Sequence, residues 1–376
     1  MKVLVSGLLA LAAAMGIGRF AYTPILPLMK SGAGLTDSFA GLLAASNYLG
    51  YLLGALWSAR PIWRAYRVAA IKWSLIAGLI TVPAMAFAQN DVLWLLARFV
   101  SGAASAFTLI LVSSVILDRA SKEGHRSWPG ILYTGVGIGM VLSGILIPIV
   151  EHDGWRASWY ASAALFALLV IPALVWMRED AATPGQEPRS VAKPAYNRGF
   201  WALMAAYCGQ GIGYIIPATF IVVVLRATPG VGAIAAFAWI VVGLIATPST
   251  LLWNRLASRF GTRPMLCSAL LLSACGVVAP LYAPNAFGAI FAAFALGATF
   301  MGVTVLVNLE ARARFPQASH RAIGDLTASL GIGQILGPLL VSALAIFHGG
   351  YPIALIVACV VLVLSAGASL VTSPVR

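Results

Sequence analysis

Two arginines lie inside long apolar runs, where a charge has no water to face. Arg19 stands sixteen residues into the first such run, about 24 Å along a helix at 1.5 Å per residue. Arg98 stands seven residues into the fourth run, about 10 Å deep by the same rise. A cation at such depth marks a substrate path, a gate, or a structural tie to neighbouring carbonyls. The eleven acids are Asp37, Asp91, Asp118, Glu123, Glu151, Asp153, Glu179, Asp180, Glu187, Glu310 and Asp325. All fall at run ends or in loops, and even Glu310 sits at the end of the tenth run. No carboxylate at the depth of Arg19 can neutralise it or relay a proton. An unpaired buried cation is costly, so the chemistry expected here is capture of a small organic anion such as a carboxylate. The alternative for Arg19 is bonding to polar groups of a neighbouring helix. For Arg98 it is snorkelling to the surface or bracing Asp91.

Other polar residues follow helical spacing. Tyr22 and Thr23 lie at i+3 and i+4 from Arg19, on one helix face. Gly16, Gly18, Pro24 and Pro27 weaken that helix, as in broken helices that line sites. Asn47 and Tyr51 form an i, i+4 pair, as do Gln210 and Tyr214, and Gln334 stands alone in the eleventh run. These are candidate substrate contacts; their alternative is hydrogen bonding between helices. Nothing else suggests chemistry. His125, His152, His320 and His348 all fall in loops, which leaves no base for an intramembrane enzyme. Cys208, Cys267, Cys275 and Cys359 lie in apolar runs with no paired spacing. They read as small apolar filler rather than a disulfide framework or a metal site. No catalytic residue, metal or cofactor is expected.

The elements that must position these residues follow from composition. Of 376 residues, 61% are apolar and only 9% charged, and the mean hydropathy is +0.93. Soluble domains carry about 25% charged residues, so the bilayer is the solvent. Apolar runs separated by turn residues give twelve spans, near 3–29, 38–58, 68–89, 91–117, 128–150, 156–177, 199–225, 231–254, 265–283, 286–310, 324–347 and 351–372. A β-barrel would show alternating ten-residue strands instead. Met1–Gly16 has Lys2, an apolar run and Ala12-Ala13-Ala14, but the run continues to Met29, so an uncleaved first helix is expected. Trp63, Trp94, Trp155 and Trp159, near span ends, read as interface anchors.

The net charge of +13 sorts by side. Nineteen of the 24 basic residues fall at one side of the spans, three (Lys30, Arg156, Arg226) at the other, and two inside. The positive-inside rule then puts both termini in the cytoplasm. The charge excess therefore reports orientation, not nucleic-acid binding, and the surrounding partner is lipid.

The two halves repeat. Gly16-Ile17-Gly18 recurs as Gly211-Ile212-Gly213, shifted by 195, which matches Arg19 with Tyr214. Phe99, Gly102, Ala103, Leu111 and Val112 recur as Phe294, Gly297, Ala298, Leu306 and Val307 at the same shift. Gly137-Ile138-Gly139 recurs as Gly331-Ile332-Gly333, shifted by 194. Two six-span halves in parallel orientation are expected, 1–177 and 198–376, joined by a polar linker, 178–197. The fold class is all-α integral membrane: twelve transmembrane helices in two parallel-repeat six-helix bundles. The Gly50-x3-Gly54, Gly135-x3-Gly139 and Gly333-x3-Gly337 spacings read as close helix crossings.

The whole chain resembles the major facilitator superfamily of transporters. Arg98-Phe99-Val100-Ser101-Gly102 resembles its fourth-helix R-x-x-x-G motif. Leu256-Ala257-Ser258-Arg259-Phe260-Gly261-Thr262-Arg263 resembles its cytoplasmic D-R-x-G-R-R motif, with Ser258 where the acid is expected. The first copy, Gly54 to Arg67, is more degenerate, with Ser58 near that position. The opening Gly16-Ile17-Gly18-Arg19-Phe20-Ala21-Tyr22-Thr23-Pro24-Ile25-Leu26-Pro27 is similar to that of the bacterial YbfB/YjiJ-like group, as is Ala44 to Tyr51. The resemblance implies a secondary carrier of the bacterial inner membrane that works by rocking its halves about a central site. It implies coupling or gating roles for Arg98, Gly102, Arg259, Gly261 and Arg263. Spans 1 and 7 line the cavity in that superfamily, which supports the substrate contacts named above. Uptake or exchange of an organic anion is the leading expectation, with a proton as candidate coupling ion and a monomer as the working unit. The alternatives are efflux of amphipathic metabolites or drugs, hinted at by the partial glycine motif of span 5, and a transporter-like sensor.

Overall fold

The computed structural model describes residues 1–87, 89–125, 128–177, 196–315, 319–345 and 350–371. Most of the expected linker, 178–195, lies outside the described residues, as do Arg126, His348 and Arg376. Every apolar run is helical, because a backbone in lipid must satisfy its polar groups within its own segment. Among the described residues no strand forms.

Eleven stretches are long and apolar enough to cross a membrane. One of them, Gly130–Trp176, is 47 residues long. It holds two helices that meet at a 3-10 turn, Glu151–Asp153, so the described residues make twelve passes. In chain order these are α1 (Lys2–Ala33), α2 (Asp37–Ser58), α3 (Arg67–Phe87), α4 (Asp91–Glu123), α5 (Trp128–Val150) and α6 (Gly154–Trp176). The second six are α7 (Arg198–Ala227), α8 (Ala235–Phe260), α9 (Thr262–Tyr282), α10 (Ala286–Arg314), α11 (Ser319–Leu344) and α12 (Gly350–Ser369).

Most ends agree with the sequence expectation to within a few residues. Some overshoot it: α8 runs on to Phe260, and α4 and α10 continue past their apolar runs into charged ends. Ion pairs one turn apart hold those polar ends, Arg119 with Glu123 at 2.7 Å and Arg314 with Glu310 at 2.8 Å. Asn90 and Asn285, which are repeat mates, cap α4 and α10 by accepting from Leu93 N and Gly288 N at 2.9 and 3.2 Å. Gly34, at φ 68°, closes α1 in the left-handed conformation that glycine tolerates.

The same packing plan appears twice. In the first half α1 packs on α5 and α6, α4 on α2 and α3, and α3 on α6. In the second half α7 packs on α11 and α12, α10 on α8 and α9, and α9 on α12. The halves meet through α1–α7, α2–α11 and α5–α8. The last two pairs exchange under the repeat, as a two-fold axis requires. The apolar segments of α1 and α7 are each 83% buried, which makes them the central helices. Large apolar side chains such as Ile80, Leu168 and Leu364 are about two-thirds exposed on α3, α6 and α12, the faces left for lipid.

Glycines set the closest crossings. A Cβ on Gly102 would run into the carbonyl of Asn47, and one on Gly50 into the carbonyl of Phe99, so α2 and α4 touch backbone to backbone. A Cβ on Gly139 would fall 2.7 Å from Gly16 Cα, which fixes α5 against α1. Gly333 packs on the Cys208 carbonyl in the matching α11–α7 contact. The spacings read as crossings are therefore crossings.

Three tryptophans correct the sequence expectation. Trp94, Trp155 and Trp159 are buried rather than anchored at a lipid interface. Trp94 donates to Met85 O at 2.9 Å and meets Trp155 edge-on at 5.6 Å, and Trp159 donates to Met29 Sδ at 3.4 Å. Position near a span end does not say which side of the helix faces lipid. Trp63 is half-buried against Trp57 and Phe107.

Candidate functional site

The central feature of α1 is a stretch of π-helix, Ala12–Arg19, that ends on Arg19. The wider turn sends Phe20 N back to Met15 O at 3.2 Å. Just beyond, Thr23 N donates to Phe20 O at 3.2 Å, because Pro24 has no N–H to offer that carbonyl. The carbonyls of Gly18 and Arg19 turn to α4. Ser101 donates to Gly18 O at 3.0 Å, and Arg98 makes long contacts of 3.5 Å to both. Wide turns of this kind concentrate at functional positions.

Arg19 is 3% exposed. Its Nη2 donates to Gln334 Oε1 on α11 at 3.1 Å. Gln334 Nε2 in turn donates to the Tyr214 hydroxyl on α7. The guanidinium lies over the ring of Tyr51 at 4.0 Å and that of Tyr48 at 4.8 Å, geometry in which a cation is attracted to the ring face. Its Nε has no partner among the described residues. One chain of contacts thus runs from the first half to the second through Arg19, Gln334 and Tyr214. It lies on the pseudo-two-fold axis, since Arg19 and Tyr214 are repeat mates. Four residues along, Thr23 donates to the carbonyl of its own mate, Ala218, at 2.7 Å.

Between the halves, Phe20, Met140, Ala218, Trp239, Val242, Leu296 and Phe300 line a small, half-open apolar pocket with room for about one water. The Phe20 ring stands 6.2 Å from Trp239 and 5.8 Å from Phe300, and Tyr214 is 5.5 Å from Phe300. Gln210, one turn before Tyr214 on α7, is 1% exposed, and neither amide atom is bonded among the described residues. Trp239 Nε1 is likewise buried and unpartnered.

The structure thus gathers Arg19, Tyr51, Tyr214 and Gln334 around one centre, with Gln210 buried one turn away on α7. It places three candidates otherwise. Tyr22 donates to Ala40 O at 3.0 Å and lies under Arg98, 4.6 Å from ring to guanidinium. Thr23 is taken by Ala218. Asn47 donates to Arg98 O at 2.8 Å within the α2–α4 crossing, its Oδ1 unpartnered. Arg98 is 3% exposed, so it neither snorkels nor braces Asp91. Tyr48, Trp239 and Phe300 escaped sequence reading because an aromatic in an apolar run looks like core.

Arg259, Gly261 and Arg263 lie far from this centre, at the end of the bundle that carries the termini. Arg259 is exposed, over the Phe260 ring at 5.2 Å. Gly261, at φ 91°, breaks the chain between α8 and α9. Arg263 donates to Glu310 Oε1 at 2.7 Å, beside Arg314. The acid absent at Ser258 is thus replaced from α10. In the first half, Arg67 pairs with Asp118.

The halves are closed at the opposite, far end. Glu151 pairs with Arg226, Tyr351 donates to Asp37 Oδ1 at 2.8 Å, and Asp37 also pairs with Lys30. Ser342 donates to Ser38 O at 2.7 Å. Deeper in, Gly137 faces Gly243 and Thr247, and Gly331 faces Leu52. Two turns toward the terminal end, on those same faces, Gly130 and Gly324 meet nothing within 4 Å. Among the described residues these two positions face open space. The far-end ion pair is partly exposed, so it is worth about 0.5–1 kcal/mol. Arg226→Gln is therefore expected to raise the rate at which an impermeant thiol reagent modifies a cysteine placed at Ser38 by about two- to fivefold. An unchanged rate in a background without native cysteines would show that the pair does not hold the closure.

Comparison with known proteins agrees with this architecture. The family model described as "Uncharacterised MFS-type transporter YbfB" matches residues 11–370. A protein described as a gentisate transporter, from Corynebacterium glutamicum, is 25% identical over 145 residues. That match spans 38% of this chain and 31% of the relative. Crystal structures of a point mutant of the nucleoside transporter NupG and of a D-xylose-proton symporter superpose with TM-scores of 0.75 at 16% and 17% identity. They cover 98% and 99% of this chain, and 98% and 97% of their own. These proteins are transporters rather than enzymes. The chain belongs to the YbfB-type family of major-facilitator transporters.

Proposed function

We propose that this transporter carries a small organic anion by alternating access, with Arg19 as the anion-binding residue. One observation carries the reading. Arg19 is a buried cation on the axis between the halves, and the partners the structure gives it are an amide and aromatic rings rather than an acid. A carboxylate there would supply the missing charge and accept two parallel N–H bonds. The relative described as a gentisate transporter is named for an aromatic carboxylate, which supports the same class. The halves 1–177 and 198–376 would rock about this site as bodies, and Arg98 and Gly102 would hold α4 to α1 and α2 during the motion. The charge asymmetry of the loops supports an inner-membrane protein with cytoplasmic termini, hence a structure closed outside and open inside. We take the monomer as the working unit. A proton could accompany the substrate only on the substrate itself or on acids at helix ends.

The test is flux. Proteoliposomes containing the purified protein should accumulate or exchange radiolabelled monocarboxylates above protein-free vesicles. Binding without flux would make the chain a sensor, and flux of amphipathic cations alone would make it an efflux pump.

A further inference from the structure

The wide turn of α1 occurs in one half only. Its repeat mate, Tyr207–Tyr214, runs as regular α-helix within α7, although Gly-Ile-Gly occupies both segments. Both segments also pack glycine on glycine against a neighbouring helix, Gly16 on Gly139 and Gly211 on Gly333. What differs is the helix alongside. α4 brings Arg98 and Ser101 to α1, where their mates on α10 are Ala293 and Leu296. Donor side chains thus accompany the wide turn, and apolar ones accompany the regular helix.

Backbone bonds explain the link. After the wide turn, Ala21 N returns to Ile17 O and Thr23 N to Phe20 O, both at 3.2 Å. The carbonyls of Gly18 and Arg19 are passed over, and a buried carbonyl needs a donor. Ser101 supplies Gly18 O at 3.0 Å, whereas Arg98 reaches the two carbonyls only at 3.5 Å. Other buried serines, such as Ser105 and Ser143, bond back onto their own helix at 2.8 and 2.9 Å. That choice is open to Ser101 in any register of α1, so its bond across to Gly18 favours the wide turn alone. The turn in its place decides where the rest of α1 points. A helix rotates about 100° per residue, so a shift of one residue swings everything beyond it by that angle. The segment before the turn is held by α5, where Gly135 packs on the Leu8 carbonyl. Beyond it, Arg19 donates to Gln334 on α11 and Thr23 to Ala218 O on α7, both in the other half.

We propose that Ser101 is a positioning residue for the carrier. Its bond to the Gly18 carbonyl holds α1 in the wide turn, which aims Arg19 at α11 and Thr23 at α7 and so keeps the far end closed. Without that bond α1 returns to the regular register of α7, the two links to the other half are lost, and the balance moves toward an open far end. This rests on the alternation proposed above but not on the nature of the substrate.

The experiment times an impermeant thiol reagent on the purified full-length protein in detergent, with the native cysteines removed. One reporter cysteine replaces Ser38 at the closed far end. The other replaces Thr134, which lies between Gly130 and Gly137 on α5. Ser101→Ala should speed the first reaction by about two- to tenfold, the worth of one buried hydrogen bond, and slow the second. The thermal midpoint should hardly move, since the regular register pairs the Gly18 carbonyl again. Ser101→Thr, which keeps the hydroxyl, should retain the native rates. Three outcomes would overturn the proposal: unchanged rates in Ser101→Ala, faster reaction at both sites with a lower midpoint, or alanine-like rates in Ser101→Thr. Arg226→Gln separates this inference from the alternation it rests on. If that variant moves the two sites in opposite directions and Ser101→Ala does not, alternation stands without this inference. If neither variant does so, both fall.

Discussion

Arg19→Ala is expected to lower the affinity for the transported anion by about a hundredfold or more, the cost of truncating one partner of a buried, hydrogen-bonded charge pair. Flux in proteoliposomes should fall with it. An apolar replacement of similar size should not harm the fold. Among the described residues no acid pairs with the buried Arg19, and replacing a buried charged group with an apolar one of similar volume is often neutral or stabilising. Arg19→Met should therefore raise or preserve the thermal midpoint in detergent while abolishing the stabilisation given by the anion. Arg19→Lys should fall between, since it keeps the charge and loses the fork. A loss of flux with a parallel loss of stability would show Arg19 to be a structural tie between α1 and α11. Unchanged flux would end the anion reading.

Gly102 should show the opposite pattern, a large effect on the fold. A Cβ there meets the Asn47 carbonyl on a neighbouring backbone that has no side-chain slack. Overpacking of this kind costs about 1–3 kcal/mol for one methyl. Gly102→Ala is thus expected to lower the thermal midpoint clearly, and Gly102→Val to remove the monodisperse protein from size-exclusion chromatography. Gly130→Ala and Gly324→Ala, which meet open space, are the matched controls and should leave both measurements unchanged. Retention of a normal profile by Gly102→Val would mean that α2 and α4 part easily. The motif glycine would then need an explanation other than contact.

The twelve passes were legible because about twenty apolar residues in a row have one solution in a bilayer. The repeat was legible because glycines at crossings recur at one offset, and Gly16 and Gly211 indeed pack on matching helices. Arg19 stood out as a charge among apolar residues, and Tyr214 as its mate. What stayed hidden depends on direction and on backbone geometry. No spacing announces the π-helix at Ala12–Arg19, so the carbonyls that occupy Arg98 and Ser101 could not be foreseen. Tyr22 and Thr23 share spacing with Arg19, yet the altered turn sends them to Ala40 and Ala218. Arg263 finds its acid on α10, a partner 47 residues away that no local motif contains.

The parted glycines have a thermodynamic consequence. Gly130 and Gly324 are repeat mates, and in a rocking carrier they are the faces that must meet when the terminal end closes. Bulk at either position costs nothing in the present arrangement and is charged wholly to the other one. Every 1.4 kcal/mol of such one-sided cost multiplies the ratio of the two populations by about ten. If the halves alternate as proposed, the lack of side chains there would leave that ratio free of this bias. A carrier turns over only when neither state is a trap, so on the proposed mechanism two missing methyl groups at the rim would bear on its rate although they touch nothing among the described residues.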